Sequence, residues 1–394
     1  MNRKFASLVI FSAGLLVVPV IHGNIYKDCY GQLLINNKEL QSMKHEAMAE
    51  IYSSMSENGL QAPEVEFERL WAKNTDPRWS LSVSQTFEFP SVYNARKKSR
   101  KVLEESLRLQ YEAYTLDLKL KVTELLVRLS YLNHALDVQT QVVNDMEKLE
   151  SLLDKAFNEG EISIIDRNNS RLERGNALMT FNQLSTEREE ILQELKTIGI
   201  YDLGSELNNV NYPIFQLKNR DEYVAGLNND PLVNYYISMH KSLAMQQNVN
   251  KWKRLPEFTI GYVHEVEDGN AFNGFSVGIS LPFLYGNINK EMASKRSLMK
   301  AEELKAEQAR IEREAAIDVD FEQAEKLGAL YNKLAELYRI DDHLNLLGKA
   351  FKGGQISAIE YIREVEFFRT SKLSFLEVER DYYLALCRLN RFSL

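Results

Sequence analysis

The sequence predicts a mainly helical chain with a small β part, built as a tandem structural repeat. Its 394 residues include only 8 Pro and 18 Gly, which favours long uninterrupted helices. Short stretches near the middle of each half alternate apolar and polar residues, the period of a strand with one apolar face. Twelve-residue segments that begin at Lys155 and Lys349 are identical at seven positions, which is typical of an internal repeat.

Composition narrows the classes of function. The chain is 44% hydrophobic and 26% charged, which excludes both a disordered chain and a helical transporter. A net charge of -8 gives no general electrostatic support for a nucleic-acid partner. The six histidines show no zinc spacing, and no nucleophile or phosphate-loop motif is present, so we expect no enzyme activity, cofactor or metal site. Cys29 and Cys387 are either free thiols or one disulfide.

Residues 1–23 have the pattern of a signal peptide. Arg3 and Lys4 precede an apolar run that extends to Ile21, and Gly23 is a small residue suited to cleavage. A transmembrane anchor is the alternative, but the run is slightly shorter than the ~20 residues such an anchor needs. We therefore expect an exported mature protein.

The remaining chain divides into two predicted repeats, 24–200 and 201–394. Each repeat is expected to contain a short helix, a strand pair and a long helical hairpin. The first copy places these last two at 63–89 and 91–198, and the second at 256–283 and 287–392.

The strand pairs have one apolar and one polar face. A soluble β-sandwich would give the same alternation. However, the strands approach the ~9 to 11 residues that cross a tilted bilayer, and aromatic residues lie near their ends, as in membrane barrels. We therefore expect four transmembrane strands per chain. The side chains expected to face lipid are Leu81, Val83, Phe87, Phe275, Val277, Ile279 and Leu281.

Four strands are too few to close a barrel. An open sheet edge in lipid would leave backbone groups without hydrogen-bond partners, at several kcal/mol each. Several copies of the chain must therefore share one barrel. Two copies would give eight strands and three would give twelve.

Long helices follow each strand pair. Residues 92–156 contain no Pro or Gly, and leucines recur at three- and four-residue steps, as in a coiled coil. At ~1.5 Å per residue this helix would extend roughly 100 Å. A second long helix is predicted over 288–350. Returning helices are predicted at 164–198 and 358–390, and shorter ones at 36–56 and 230–253.

The repeated motif lies where each long helix turns back. Its residues are Phe157, Gly160, Ser163 and Asp166 in the first copy, and Phe351, Gly354, Ser357 and Glu360 in the second. The glycines suit a helix end, and each serine with the acid three residues later forms a capping box. Capping alone does not explain the recurring phenylalanines and the isoleucines at 162 and 356, so a binding role at the tip stays open.

With the strand pairs and the tandem repeat, the F-x-x-G-x-I-S-x-I-[DE] tip resembles the TolC family of outer-membrane efflux proteins. This resemblance implies a homotrimer with a shared twelve-stranded barrel in outer-membrane lipid and an α-helical barrel in the periplasm. It also implies a passive exit duct that serves a periplasmic adaptor and an inner-membrane pump such as an RND transporter, or type I secretion.

The resemblance also assigns roles to the tips. Phe157, Gly160, Ser163, Phe351, Gly354 and Ser357 would meet the adaptor, and Asp166, Glu360 and Arg363 would line the periplasmic entrance. Arg363 stands where a second acid is common in the family, and Phe351 stands where a tyrosine is common. An ion pair from Arg363 to Glu360 or Asp166 of a neighbouring copy would hold the entrance closed.

Two interpretations of the whole chain remain. The first is an exit duct for small molecules or metal ions, which we favour over protein secretion. The second is a periplasmic coiled-coil scaffold or adhesin stalk. The basic stretch from Arg96 to Lys101 follows the second strand, where it would meet lipid headgroups or form a solvated helix face.

Overall fold

The computed structural model describes residues 24–71, 73, 77–201, 204–281, 287–338 and 343–394. The expected signal peptide 1–23, part of the first interstrand turn and Phe283 lie outside these residues. The chain forms two compact units. The sheet unit comprises Lys38–Thr115 and Val224–Ala316, and the helical unit comprises the residues up to Asn37, Leu116–Tyr223 and Ile317–Leu394. Each unit draws on both expected repeats, whose boundary between 200 and 201 stays a prediction.

The sheet unit contains the strands and the helices that adjoin them. In chain order its elements are α2 (Lys38–Ser56), β1 (Glu64–Leu70), β2 (Arg78–Phe87), the first part of α3 (Pro90–Asn158), α6 (Pro231–Trp252), β3 (Glu257–Glu267), β4 (Asn270–Ser280) and the first part of α7 (Asn287–Tyr338). The short α5 (Arg220–Gly226) lies at the boundary between the units.

The four strands form one antiparallel sheet in the order β1-β2-β3-β4. Val65 lies opposite Val83, which lies opposite Tyr262, which in turn lies opposite Phe275. The turn between β3 and β4 has positive φ at Asp268 (51°) and Gly269 (80°), as a tight two-residue hairpin requires. This turn starts β4 at Asn270, earlier than the apolar alternation indicated, and the strand ends at Ser280. Leu281 therefore lies just beyond the strand, contrary to expectation.

The helical unit is built from the remaining segments. They are α1 (Asn24–Asn36), the second part of α3, α4 (Ile164–Ile198), a 3-10 turn (Gly204–Asn209), the second part of α7, α8 (His343–Lys352), α9 (Ala358–Leu389) and a final 3-10 turn (Arg391–Ser393). The 69 residues of α3 confirm the first long helix, and at ~1.5 Å per residue it is about 100 Å long. Of the second, α7 and α8 are described, and 339–342 lie outside the description.

The expected helix over 36–56 is confirmed by α2, and a further helix that the sequence did not predict, α1, precedes it. The helix α1 ends at Asn36, and α2 begins at Lys38. The amide of Asn36 donates to the Gly199 carbonyl at 3.1 Å, and that of Asn37 donates to the Ile198 carbonyl at 2.9 Å. These two bonds satisfy carbonyl groups at the end of α4, which would otherwise lack partners.

Both cysteines are buried free thiols. Burial raises the pKa of Cys29 to about 12, and it also raises the pKa of Cys387, so both stay protonated at neutral pH. The disulfide alternative is therefore wrong in this structure.

Nearby, Arg388 bridges two acids from different helices, with its guanidinium 2.7 Å from Glu124 and 3.4 Å from Asp320.

Candidate functional site

One face of the sheet is apolar and uncovered. The strand register brings alternate side chains from all four strands onto this face. Phe275 keeps 87% of its surface exposed and Val277 keeps 74%. The other exposed members are Val65, Phe67, Leu81, Val83, Phe258, Ile260, Tyr262 and Ile279. An exposed apolar face of this extent is typical of a surface that contacts another protein or a membrane.

Most of the side chains expected to face lipid belong to this face. Leu81, Val83, Phe275, Val277 and Ile279 are exposed there, and Phe87 shares the face but is half-buried. The expected lipid-facing set does not include Val65, Phe67, Ile260 and Tyr262, which are also exposed on this face and whose alternation carries the same signal.

The opposite face is polar and carries small side chains. Glu64, Glu66 and Glu68 alternate along β1 on this face, all exposed. The neighbouring strands add serines, threonines and glycines, and the hydroxyls of Thr86 and Thr259 lie 2.8 Å apart. A Cβ at Gly261 would overlap the Ser276 hydroxyl, so the absence of a side chain lets β3 and β4 pack closely here.

The sheet has two open edges. Within the described residues, β1 pairs only with β2, and β4 pairs only with β3. Their outward backbone N–H and C=O groups are ready to pair with another strand. The described strands therefore do not close into a barrel within one chain.

The first helix tip joins α3 to α4. Gly160 has a φ of 78°, a left-handed conformation that permits the chain to leave α3. The hydroxyl of Ser163 accepts a hydrogen bond from the Asp166 amide at 3.1 Å, and the Asp166 carboxylate accepts one from the Ser163 amide at 3.4 Å. The expected capping box is confirmed.

The second tip, between α8 and α9, repeats this geometry. Gly354 has a φ of 69°. The Ser357 hydroxyl accepts from the Glu360 amide at 3.3 Å, and the Glu360 carboxylate accepts from the Ser357 amide at 2.8 Å. The Ser357 amide and the Ser357 hydroxyl both donate to the Glu360 carboxylate, and these two bonds hold the pKa of Glu360 below its ordinary value, with a smaller contribution from Arg363. Glu360 therefore carries its negative charge at neutral pH.

The recurring aromatic and aliphatic residues of the tips have packing partners. Ile162, Phe351 and Ile356 pack against a buried cluster in the helical unit, which we call the tip core. Its buried members are Val142, Met146, Leu149, Leu153, Ala177, Leu344, Tyr361 and Val365. Phe351 stacks on Tyr361 with ring centroids 5.1 Å apart, and the Arg167 guanidinium lies 4.2 Å from the Phe157 ring centre. Packing therefore accounts for residues that capping alone did not explain.

The three residues expected to line the entrance all form polar contacts within their own chain. Asp166 and Glu360 take part in the two capping boxes. Arg363 is exposed and forms an ion pair with the adjacent Glu364 at 3.2 Å. The ion pair from Arg363 to a neighbouring copy stays a prediction.

The cap of α9 gives a first testable prediction. Replacing Ser357 with Ala removes the acceptor for the Glu360 amide, so we expect the first turn of α9 to lose about 1 kcal/mol. Hydrogen exchange at the amides of Ile359 to Tyr361 measures this loss. Ser371→Ala, inside the same helix, is the matched control and should leave these amides unchanged. Equal exchange in wild type and Ser357→Ala would contradict the capping role.

None of the described helices has both the length and the apolarity needed to cross a membrane. In the same part of the chain, no group of three or more His, Cys, Asp or Glu side chains is placed to hold a metal ion.

Comparison with known proteins rests on structure. No protein-family model matches the sequence, and neither does any curated protein. The outer membrane channel CmeC of Campylobacter jejuni matches with a TM-score of 0.72 and 14% identity, over 94% of this chain and 85% of that chain. The open state of the Neisseria gonorrhoeae channel MtrE gives 0.72 and 14%, over 93% and 88%. The Vibrio cholerae outer membrane protein VceC gives 0.71 and 11%, over 94% and 96%.

These matches span nearly the full length of each structure, so the agreement covers the helices as well as the sheet. The resemblance inferred from the tip motif and the repeat is thereby supported at the level of architecture. The chain has the mainly helical fold, with a four-stranded antiparallel sheet, of outer-membrane channels.

Proposed function

We propose that this chain is the outer-membrane exit duct of a tripartite efflux system. It conducts small molecules or metal ions passively and catalyses no reaction. The observation that carries the proposal is the sheet with one uncovered apolar face and one polar face. A water-soluble scaffold or adhesin stalk would leave that apolar face in water, whereas a barrel wall places it against lipid and turns the polar face toward an aqueous channel.

The open edges support an assembly of several copies. In lipid, the unpaired backbone groups of β1 and β4 would cost several kcal/mol each. Pairing β4 of one copy with β1 of the next satisfies them. Three copies give a barrel of twelve strands, the homotrimer that the resemblance to the TolC family implies, whereas two copies would give eight.

The long helices serve the second part of the duct. The ~100 Å length of α3 suits a passage through the periplasm. The tips then form the entrance, where Phe157, Gly160, Ser163 and their counterparts Phe351, Gly354 and Ser357 meet a periplasmic adaptor. Asp166, Glu360 and Arg363 surround the opening. An inner-membrane pump such as an RND transporter supplies the energy.

Crosslinking in isolated outer membranes tests the proposal. We expect the native protein to give a ladder of adducts that ends at three chains, and the purified trimer to conduct ions across a planar bilayer. The supernatant that remains after the membranes are removed from the same broken cells is the control for a soluble periplasmic population. A protein found only in that supernatant, or a membrane species that never exceeds one chain, would refute the duct and favour the scaffold.

A further inference from the structure

Basic residues converge at one end of the strands, where the helices join the sheet. Residues 90–101, 249–255 and 287–296 together contain eleven Lys or Arg and one acid, Glu291. The whole chain, by contrast, has 48 basic and 56 acidic residues. All three segments belong to the sheet unit. The charge is therefore concentrated in a small part of the molecule.

The strand register explains why these segments meet. Phe87, near the end of β2, lies opposite Phe258 at the start of β3, and Phe258 lies opposite Ile279 near the end of β4. The helices α3, α6 and α7 therefore all join the sheet at the same end of its strands. Val92 and Ala95 of α3 pack on Val249 of α6, which fixes two of the segments against each other.

Polar contacts fix the third segment. The amide of Gln247 on α6 donates to the Met292 carbonyl on α7 at 3.3 Å, and the Lys295 ammonium donates to Gln246 at 2.6 Å. The basic segments thus form one surface, although they are up to about two hundred positions apart in the sequence.

Six of the basic side chains are exposed and form no ion pair with another described residue. We call them the basic collar. They are Lys97, Lys98, Lys101, Lys251, Lys290 and Arg296. Trp252, next to Lys251 in the sequence, is also exposed, and exposed basic and aromatic residues together are typical of a membrane–water interface.

Among the described residues, the opposite end of the strands shows no comparable excess of positive charge. There Arg78 forms ion pairs with Glu265 and Glu267, and the turn between β3 and β4 carries Asp268. Within the part of the chain that the structure describes, the excess of positive charge therefore lies at the end joined to the helices. Because the apolar face lies between these two ends of the strands, a membrane that covers this face has its headgroups at the collar.

We propose that the basic collar binds the phosphate groups of anionic phospholipids in the leaflet next to the helices. This inference rests on the proposed insertion of the sheet in a bilayer. Exposed Lys and Arg beside a membrane attract anionic lipid, and the attraction weakens as salt is added. The collar then sets how deeply the barrel is inserted in the bilayer. It also orients the end of the strands that joins the helices toward that leaflet.

Lipid retention tests the collar. The full-length mature protein is reconstituted in vesicles with equal amounts of phosphatidylcholine and phosphatidylglycerol, extracted, and analysed by native mass spectrometry. We expect the wild-type protein to retain phosphatidylglycerol over phosphatidylcholine by on the order of tenfold, less at high salt. The triple variant Lys97→Glu, Lys98→Glu, Lys101→Glu should lose this preference.

A matched variant separates the collar from general charge. Lys44→Glu, Lys196→Glu, Lys241→Glu changes the net charge equally at exposed lysines outside the collar segments and should keep the preference. If the glutamate variant does not fold, glutamine at 97, 98 and 101 replaces it and should reduce the preference. An unchanged preference in the collar variant, or an equal loss in both variants, would overturn the inference.

Bilayer conductance distinguishes the two proposals. A wild-type protein that inserts and conducts but retains both lipids equally would refute the collar and leave the duct standing. A wild-type protein that inserts in neither lipid would refute both, because the collar acts only on an inserted sheet.

Discussion

Replacing Val83 with Arg should prevent most of the protein from folding into the outer membrane. Val83 lies at the centre of β2 on the exposed apolar face, between Val65 and Tyr262 of the adjacent strands. An arginine facing lipid near the midplane costs about 2 to 4 kcal/mol. If three copies share the barrel, that cost is incurred three times. Folding into vesicles, followed by urea titration, measures the loss.

The adjacent serine provides the control. Ser82 points to the polar face and lies opposite Glu66, so Ser82→Arg places the same charge in water beside a carboxylate. This variant should fold and insert as well as the wild-type protein. If Val83→Arg also folds normally, the apolar face does not contact lipid, since an exposed surface substitution in water costs only about 0.5 kcal/mol or less.

The sequence predicted the sheet well because its signal is local. Alternation along 79–89 and 257–266 identified the apolar face, and the four-stranded antiparallel sheet is confirmed. The apolar alternation of β4 is visible only from Phe275 onward, because Asn270, Asn273 and Gly274 do not continue it, so the strand begins earlier than this alternation. The tight turn at Asp268 and Gly269 determines where that strand begins, through backbone geometry that a hydrophobic pattern does not contain.

The helix tips show the limit of local reasoning more clearly. Serine and acid at capping positions predicted both boxes, because a cap involves residues three apart. The partners of Phe351 and Ile162 could not be predicted in this way. They pack on a cluster drawn from α3, α4, α8 and α9, and the first two of these helices lie far from the last two in the sequence. A recurring residue therefore has the same sequence signature whether it packs inside a tip or contacts a partner.

Replacing Leu149 with Ala should loosen the tip core while leaving the sheet unit folded. Leu149 is 2% exposed on α3 and belongs to the same cluster as Met146, Tyr361 and Val365. A buried Leu→Ala change costs about 2 to 5 kcal/mol, because it removes apolar contacts and leaves a cavity. Hydrogen exchange should accelerate at the amides of 356–365, and it should stay unchanged in the strands.

A neighbouring leucine makes this test specific. Leu152 lies on the same helix but is 45% exposed, so Leu152→Ala deletes the same atoms from a site that is already partly in water. Its cost should stay below about 1 kcal/mol. Equal exchange in the two variants would mean that Leu149 is not part of a packed core, and the recurring phenylalanines and isoleucines would again need a partner outside the chain. A large effect confined to Leu149→Ala would assign them to the stability of the tip, so that adaptor docking would depend on the exposed side chains around it.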